Sequence, residues 1–136
     1  MRRVAILALV LAAASPAAAS PCGPVDAPGA ESVSAFESAI LAQEWAAIAP
    51  TIPSFPAEEI DTAFAPLLAL GTPFTRCEVL FAEALPPRVH RRAVAFYAGD
   101  DVGLLLYEDL ITFGDRTEVA FFSYNTRAAA IMELIR

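Results

Sequence analysis

The chain has 136 residues, no lysine, and 16 acidic against nine basic side chains, which gives a formal net charge of −7. The length predicts one domain. The negative charge excludes ordinary nucleic-acid binding, which relies on clustered Lys and Arg to neutralise phosphates, and it disfavours attraction to anionic membranes. The Ala, Pro and Arg content and the missing lysine are typical of a GC-rich bacterial genome.

Residues 1–19 have the pattern of a secretory signal peptide: two arginines at the start, an apolar run over 4–14, and three alanines at 17–19. The apolar run is shorter than the roughly 20 residues that span a membrane. Cleavage after Ala19 would leave 117 of the 136 residues and a net charge of −9, because two arginines leave with the peptide. The sequence therefore predicts a periplasmic or secreted protein without a membrane segment after cleavage. An uncleaved anchor or a buried core helix is the alternative.

Cys22 and Cys77 are the two cysteines. In an oxidising compartment they are expected to form a disulfide between the N-terminal arm and the first strand. In the chain-entropy model, closing a loop of about 55 residues contributes roughly 4 kcal/mol. Lipidation of Cys22 is disfavoured because Pro21 precedes it, where a lipoprotein signal has a small residue. Two distant cysteines and one histidine make a poor metal site, so neither a metal nor a cofactor is predicted.

Residues 20–33 are rich in Pro, Gly and Asp and are predicted to form an extended arm, followed by a single α+β domain over 34–136. Ser34 and Glu37 have the spacing of a capping box, in which each side chain bonds the backbone N–H of the other. This pattern predicts a helix from Ser34 to about Ala49. Its apolar face contains Phe36, Ile40, Leu41, Trp45 and Ile48.

A second helix is predicted to begin near Pro56, because proline lacks the N–H that would be unbonded in a first turn. Pro66 should kink or restart this helix, and Gly71 is suited to end it. Its apolar stripe is Ile60, Phe64, Leu67 and Leu68. Thr126 is suited to cap a short C-terminal helix that would extend through Ile135.

Between these helices, alternation of side chains predicts four strands over residues 74–83, 89–97, 102–111 and 117–125. Short strands separated by turns favour antiparallel pairing, because parallel strands need long crossovers. In the first strand the more apolar face is predicted to be Thr75, Cys77, Val79, Phe81 and Glu83. The third strand is apolar on both faces, which indicates a central position.

The order of two helices and a four-stranded meander resembles the cone-shaped α+β folds of the NTF2-like and cystatin-like kind. Particular similarities are the end of the first helix at Trp45–Ile48 and the last strand at Val119–Tyr124, followed by Asn125 and Thr126. The resemblance implies N-terminal helices packed on a curved four-stranded antiparallel meander sheet with a short C-terminal helix. In such folds the sheet and helices enclose a pocket, used for catalysis, binding or dimerisation. No motif of a catalytic member is present, so no catalytic residue is predicted.

The candidate pocket residues are His90, Arg92, Tyr107, Asp109 and Tyr124. His90, the only histidine, would serve as a general base if a carboxylate oriented it. Glu108 and Asp109 point to opposite faces, and whichever points inward should have a perturbed pKa. The alternatives are a surface position for His90, cross-strand ion pairs for the arginines, and ordinary half-buried positions for the tyrosines.

The pattern favours an exported, non-catalytic domain that binds a small molecule, a peptide or a protein partner. One alternative is an NTF2-like enzyme that uses His90 with Asp109 or Glu108. The other is a structural module that forms a homodimer through an exposed sheet face.

Overall fold

A computed structural model describes residues 19–127. It contains two short strands, two α-helices and four long strands: β1 Ala19–Ser20, β2 Gly23–Pro24, α1 Glu31–Leu41, α2 Ala57–Phe64, β3 Arg76–Leu85, β4 Val89–Ala98, β5 Asp101–Phe113 and β6 Arg116–Asn125. Short 3₁₀ helices occur at Trp45–Ala47, Ala49–Thr51 and Ala65–Ala69. The predicted signal peptide, except for Ala19, and nearly all of the predicted C-terminal helix lie outside the described residues. Of the helices that are described, none has the length and apolarity to cross a membrane.

The four long strands form one antiparallel sheet in the order β3-β4-β5-β6, and β1 pairs with β2 in a separate two-stranded sheet. The coarse prediction of an α+β protein with a four-stranded antiparallel sheet is confirmed. Each strand begins and ends within two residues of its predicted bounds. The turns that join β4 to β5 and β5 to β6 contain Gly99 and Gly114, at φ of 64° and 63°. A glycine adopts this left-handed conformation without steric cost.

The first helix differs from its prediction at both ends. It begins at Glu31, after Ala30, which has no side-chain cap, and the hydroxyl of Ser34 donates to the carbonyl of Ala19 at 3.2 Å. The predicted capping box is therefore wrong. The helix ends at Leu41 because Gln43 adopts a φ of 55°, outside the helical region.

The second helix follows its prediction more closely. Pro56 is the residue before α2, and the chain leaves the α-helix after Phe64 and continues as a 3₁₀ turn that contains Pro66. The tighter turn changes which side chains point inward. Leu67 is buried but Leu68 is 66% exposed, so the predicted apolar stripe stops one residue early.

We call the sheet face toward α1 and α2 the inner face and the opposite one the outer face. A β-bulge at Leu80 changes the alternation of β3. Cys77 and Val79 contact the core as predicted, but Phe81 lies on the outer face and is 47% exposed. Beyond the bulge, Ala82 and Ala84 take the inner-face positions, opposite Arg92 and His90. A bulge adds one residue to one strand, and the sequence contains no glycine or proline there to reveal it.

One apolar core joins the helices to the inner face. The rings of Phe36 in α1 and Phe122 in β6 are 5.5 Å apart, and Phe64 in α2 stacks on the same Phe122 at 5.3 Å. Each fully buried Phe contributes about 1.5–3 kcal/mol of transfer free energy. The other large buried members are Ile40, Ile48, Ile60, Leu67, Phe96, Leu104, Leu106 and Leu110.

The predicted disulfide between Cys22 and Cys77 is confirmed. It fixes the N-terminal arm to the edge strand β3, where the Val79 N–H also donates to the Cys22 carbonyl at 3.2 Å. The arm reaches the other edge at Gly29, whose carbonyl accepts from the Thr117 N–H at 3.0 Å. A Cβ at Gly29 would lie 2.0 Å from the carbonyl oxygen of Asp115, so this crossing requires glycine. The arm is thus ordered by contacts at both sheet edges.

Candidate functional site

A buried ionic cluster lies between α1 and the inner face. It consists of Glu37 from α1, Arg92 from β4 and Glu108 from β5, with side chains that are 0%, 3% and 0% exposed. One guanidinium nitrogen of Arg92 donates to Glu37 at 2.8 Å and another donates to the Pro24 carbonyl at 2.9 Å. The hydroxyl of Ser20 donates to the same Glu37 oxygen at 2.6 Å. The cluster therefore links the arm, the helix and the sheet through one cation.

Glu108 is the least well paired member of this cluster. Its nearest cationic atom, Nε of Arg92, lies 3.7 Å away, beyond hydrogen-bond distance, and among the described residues no group donates to either of its oxygens. Burial raises the pKa of Glu108 well above 4.5, and the negative charge of Glu37 raises it further, while Arg92 lowers it. A protonated Glu108 can donate to the remaining Glu37 oxygen, which otherwise has no partner in the described structure. The cluster then holds one cation, one carboxylate and one neutral acid.

This protonation makes stability depend on pH in a definite direction. The folded state retains a proton that the unfolded chain releases above its ordinary glutamate pKa, so the contribution of Glu108 is complete at low pH and is lost as pH rises through the raised pKa. Glu108→Gln imitates the protonated form at every pH. We expect the variant to match the wild type near pH 4 and to exceed it increasingly toward pH 8. Urea unfolding at several pH values measures the difference, and a difference that stays constant or falls with pH would contradict this protonation state.

Beside the cluster, residues 19–127 leave the inner face uncovered at the end of the β3–β4 hairpin. Ala82 and Ala84 both point to this face and are exposed. They form the floor of a cleft of about 250 Å³. The arm provides one wall, and Arg92 connects the cleft to the buried cluster. The lining residues are Pro24, Val25, Asp26, Ala82, Glu83, Ala84, His90, Arg91, Arg92 and Leu110.

Of the five predicted pocket residues, two lie at this cleft. His90 and Arg92 line it together, and His90 is half-buried. No hydrogen bond or ion pair joins His90 to a carboxylate within residues 19–127. Tyr124 belongs to the inner face, where its hydroxyl donates to the Ala63 carbonyl and burial raises its pKa. The structure therefore brings His90 and Arg92 together and places Tyr124 at α2.

The other two predicted residues, Tyr107 and Asp109, lie on the outer face. Asp109 forms an ion pair with Arg91 at 3.3 Å, and both side chains are partly exposed. Tyr107 is its neighbour on the same face, and its pKa is raised, first by burial and then by the charge of Asp109. The sheet separates this pair from the cleft, because successive residues of a strand point to opposite faces.

Several cleft and cluster residues were not predicted. The spacing of Ser34 and Glu37 predicts a capping box, yet Glu37 lies four residues after Val33 and one after Phe36, within the buried stripe of α1. That position in an apolar stripe was the available signal that Glu37 is buried. Ala82 and Ala84 gave no signal because the bulge changes their face. In the described part of the chain, no three His, Cys, Asp or Glu side chains converge as metal ligands would.

Comparisons of the chain with family models, with curated proteins and with solved structures gave no match.

Proposed function

We propose that the protein is an exported, non-catalytic binding domain and that the cleft floored by Ala82 and Ala84 is its binding site. The observation that carries this proposal is the part of the inner face that the described residues leave uncovered at the end of the β3–β4 hairpin, where two small side chains leave a concavity beside polar groups. Ligand sites are concave and largely apolar, with a few polar groups that fix orientation. The apolar part of the lining here is Val25, Ala82, Ala84 and Leu110, and the polar part includes His90 and Asp26.

The electrostatics support binding more than catalysis by a histidine–carboxylate pair. Arg92 is neutralised by Glu37 at 2.8 Å, and Asp109 is held by Arg91 on the outer face. Glu108 is fully buried with Arg92 and Glu37. Neither carboxylate is thus arranged to orient His90 as a base, a role that requires hydrogen-bond reach. The predicted leader and the disulfide support export. The NTF2-like or cystatin-like relationship and the curvature of the sheet remain predictions.

The test is to fill the cleft. Ala84→Trp places an indole over the floor, and because Ala84 is exposed we expect a change in unfolding free energy within about 0.5 kcal/mol. A library of small organic fragments is screened by ¹⁵N–¹H NMR for compounds that shift the amides of Ala82, Ala84 and His90. The variant should abolish these shifts, and Ala120→Trp, at another exposed alanine of the sheet, should retain them. If no fragment shifts these amides, or if Ala84→Trp leaves the shifts intact, the binding site is not this cleft.

A second candidate function, homodimerisation, is favoured by the outer face. Phe81 and Phe121 are 47% and 51% exposed there, and within residues 19–127 the apolar cluster on this face is built from strand residues alone. Exposed apolar surface of this kind is typical of an interaction site. We expect sedimentation velocity to show a dimer that F81E/F121E converts to a monomer and that L68E, at an exposed leucine outside the sheet, does not. A wild-type monomer at micromolar concentration would exclude this candidate.

A further inference from the structure

We propose that the occupant of the cleft is an extended polypeptide segment of another protein, which adds as a fifth strand to the free edge of β3 over residues 82–85. This inference rests on the proposed binding function of the cleft and names its ligand class. The ligand would bond to the backbone of β3 and place alternate side chains in the cleft.

The direction of the backbone groups of β3 follows from one observed bond. The Val79 N–H donates to Cys22 of the arm, so at Val79 the backbone groups point away from β4. In an antiparallel ladder, pairs that bond to the neighbouring strand alternate with pairs that do not. The next pairs are Phe81 with Ala93 and then Ala82 with Arg92. The backbone N–H and C=O groups of Ala82 therefore point away from β4, as those of Val79 do. The backbone groups of Ala84, two residues further on, point the same way.

These outward groups are free in the described structure. The arm occupies the β3 edge at Val79, and among residues 19–127 no backbone group bonds the outward side of Ala82 or Ala84. Both residues, and Glu83 between them, are exposed. Unpaired N–H and C=O groups along an edge are the template for strand addition. The arm shows that this same edge accepts an extended segment.

The side chains of β3 indicate which residues the segment would carry. Opposite residues in a ladder point to the same face, so a ligand residue paired with Ala82 or Ala84 points into the cleft. Because Val25 and Leu110 line the cleft, an apolar ligand residue is favoured there. The ligand residue opposite Glu83 points to the outer face, where a basic side chain is favoured by the carboxylate. The expected ligand alternates apolar and basic residues.

A second copy of the same edge fits poorly. The antiparallel register that satisfies both alanines pairs Ala82 of each copy with Ala84 of the other, and this register is centred on Glu83. It places the two Glu83 carboxylates directly opposite each other at a non-hydrogen-bonded pair, where side chains are closest. Like charges at such a position are destabilising. The edge therefore favours a different polypeptide.

The probe is the acetylated and amidated heptapeptide Lys-Val-Lys-Val-Lys-Val-Lys, titrated into the oxidised protein and followed by ¹⁵N–¹H NMR. We expect the amides of Ala82 and Ala84 to shift and to become protected from hydrogen exchange. The valines bond to β3 in the proposed register, so N-methylation of the valines should weaken binding about tenfold or more. N-methylation of the inner lysines leaves the charge and those bonds unchanged and should keep the affinity within about threefold of the unmodified peptide.

Ala82→Pro provides the matching change in the protein. It removes the outward N–H of Ala82 without removing a β3–β4 bond, at a position where an edge strand tolerates proline. The loss of this one bond should weaken peptide binding several-fold. Equal binding of the two N-methylated peptides, unchanged binding by Ala82→Pro, or no binding at millimolar peptide would overturn strand addition. If Ala82→Pro does not fold, the two N-methylated peptides decide the question with the wild type. If strand addition is overturned, fragment binding that Ala84→Trp abolishes would still support the cleft as a binding site. The experiments therefore distinguish failure of strand addition from failure of the proposed binding site.

Discussion

Arg92→Met is expected to lower the free energy of unfolding by about 3–5 kcal/mol, because it leaves buried acidic groups without their cation. Arg92 is 3% exposed and is the cation of both Glu37 and Glu108. Its removal also leaves the Pro24 carbonyl without the donor at 2.9 Å. Proteins of this size have a total stability of roughly 5–15 kcal/mol, so the variant should be close to unfolding at 37 °C. Urea unfolding followed by circular dichroism measures the loss.

The neighbouring position provides a matched control. Arg91 also pairs with a carboxylate, Asp109 at 3.3 Å, but its side chain is 44% exposed. Exposed ion pairs contribute about 0–1 kcal/mol, so Arg91→Met should have a small effect. Both substitutions replace Arg by Met, but Arg92 lies on the inner face of the sheet and Arg91 on the outer face. A similar loss for both variants would contradict the burial of the cluster.

A triple replacement separates the contribution of the cluster from the cost of breaking it. Replacing Glu37, Arg92 and Glu108 together by Leu, Met and Leu removes every charge from the site. Buried ion pairs replaced by apolar residues of similar volume are often neutral or stabilising. We therefore expect the triple variant to be more stable than Arg92→Met, although Ser20 and Pro24 lose polar partners. If the triple variant is less stable than Arg92→Met, the three side chains stabilise the fold by more than the neutralisation of one another's charges.

The long strands were predictable because their signal is local. Alternation and turn residues such as Gly99 and Gly114 depend on a few consecutive positions, and they set the strand ends to within two residues. The end of α1 was not predictable in this way. The apolar pattern continues through Trp45 and Ile48, and the helix stops because Gln43 adopts a left-handed conformation, which the identity of the residue does not require.

The candidate site was only partly predictable, because it depends on contacts between distant segments. His90 and Arg92 are both predicted pocket residues of one strand, and the structure places them at the same cleft. The partners of Arg92 come from Glu37 and Pro24, 55 and 68 residues away. No local pattern relates these segments. The bulge at Leu80 changed the face of every later residue of β3, which moved Ala82 and Ala84 to the cleft.

The same contacts connect stability to binding. The arm supplies the Pro24 carbonyl to Arg92 and also forms a wall of the cleft. Its position is set at Cys22, by the disulfide and by the bond from Val79, and at Ser20, which bonds Glu37. A change that releases the arm should therefore open the cleft as well as weaken the fold.

Removal of the disulfide by C22A/C77A is expected to lower the free energy of unfolding by roughly 4 kcal/mol. The two cysteines are 55 residues apart, and in the chain-entropy model the link reduces the freedom of the unfolded chain by that amount for a loop of about this length. Because Cys22 fixes the arm that forms the cleft wall, binding of the heptapeptide or of cleft fragments should weaken in the same variant. Urea unfolding and the NMR titrations measure the two effects.

Reduction of the wild type supplies the control, since it breaks the same bond without a substitution. Dithiothreitol should shift the unfolding midpoint of the wild type to that of C22A/C77A and should leave the variant unchanged. Equal midpoints for the oxidised and reduced wild type would show that the disulfide does not stabilise the fold. A loss of stability without a loss of binding would instead show that the contacts of Ser20, Pro24 and Gly29 are enough to hold the arm in place. The cleft wall would then depend on the hydrogen bonds of the arm and not on its covalent link.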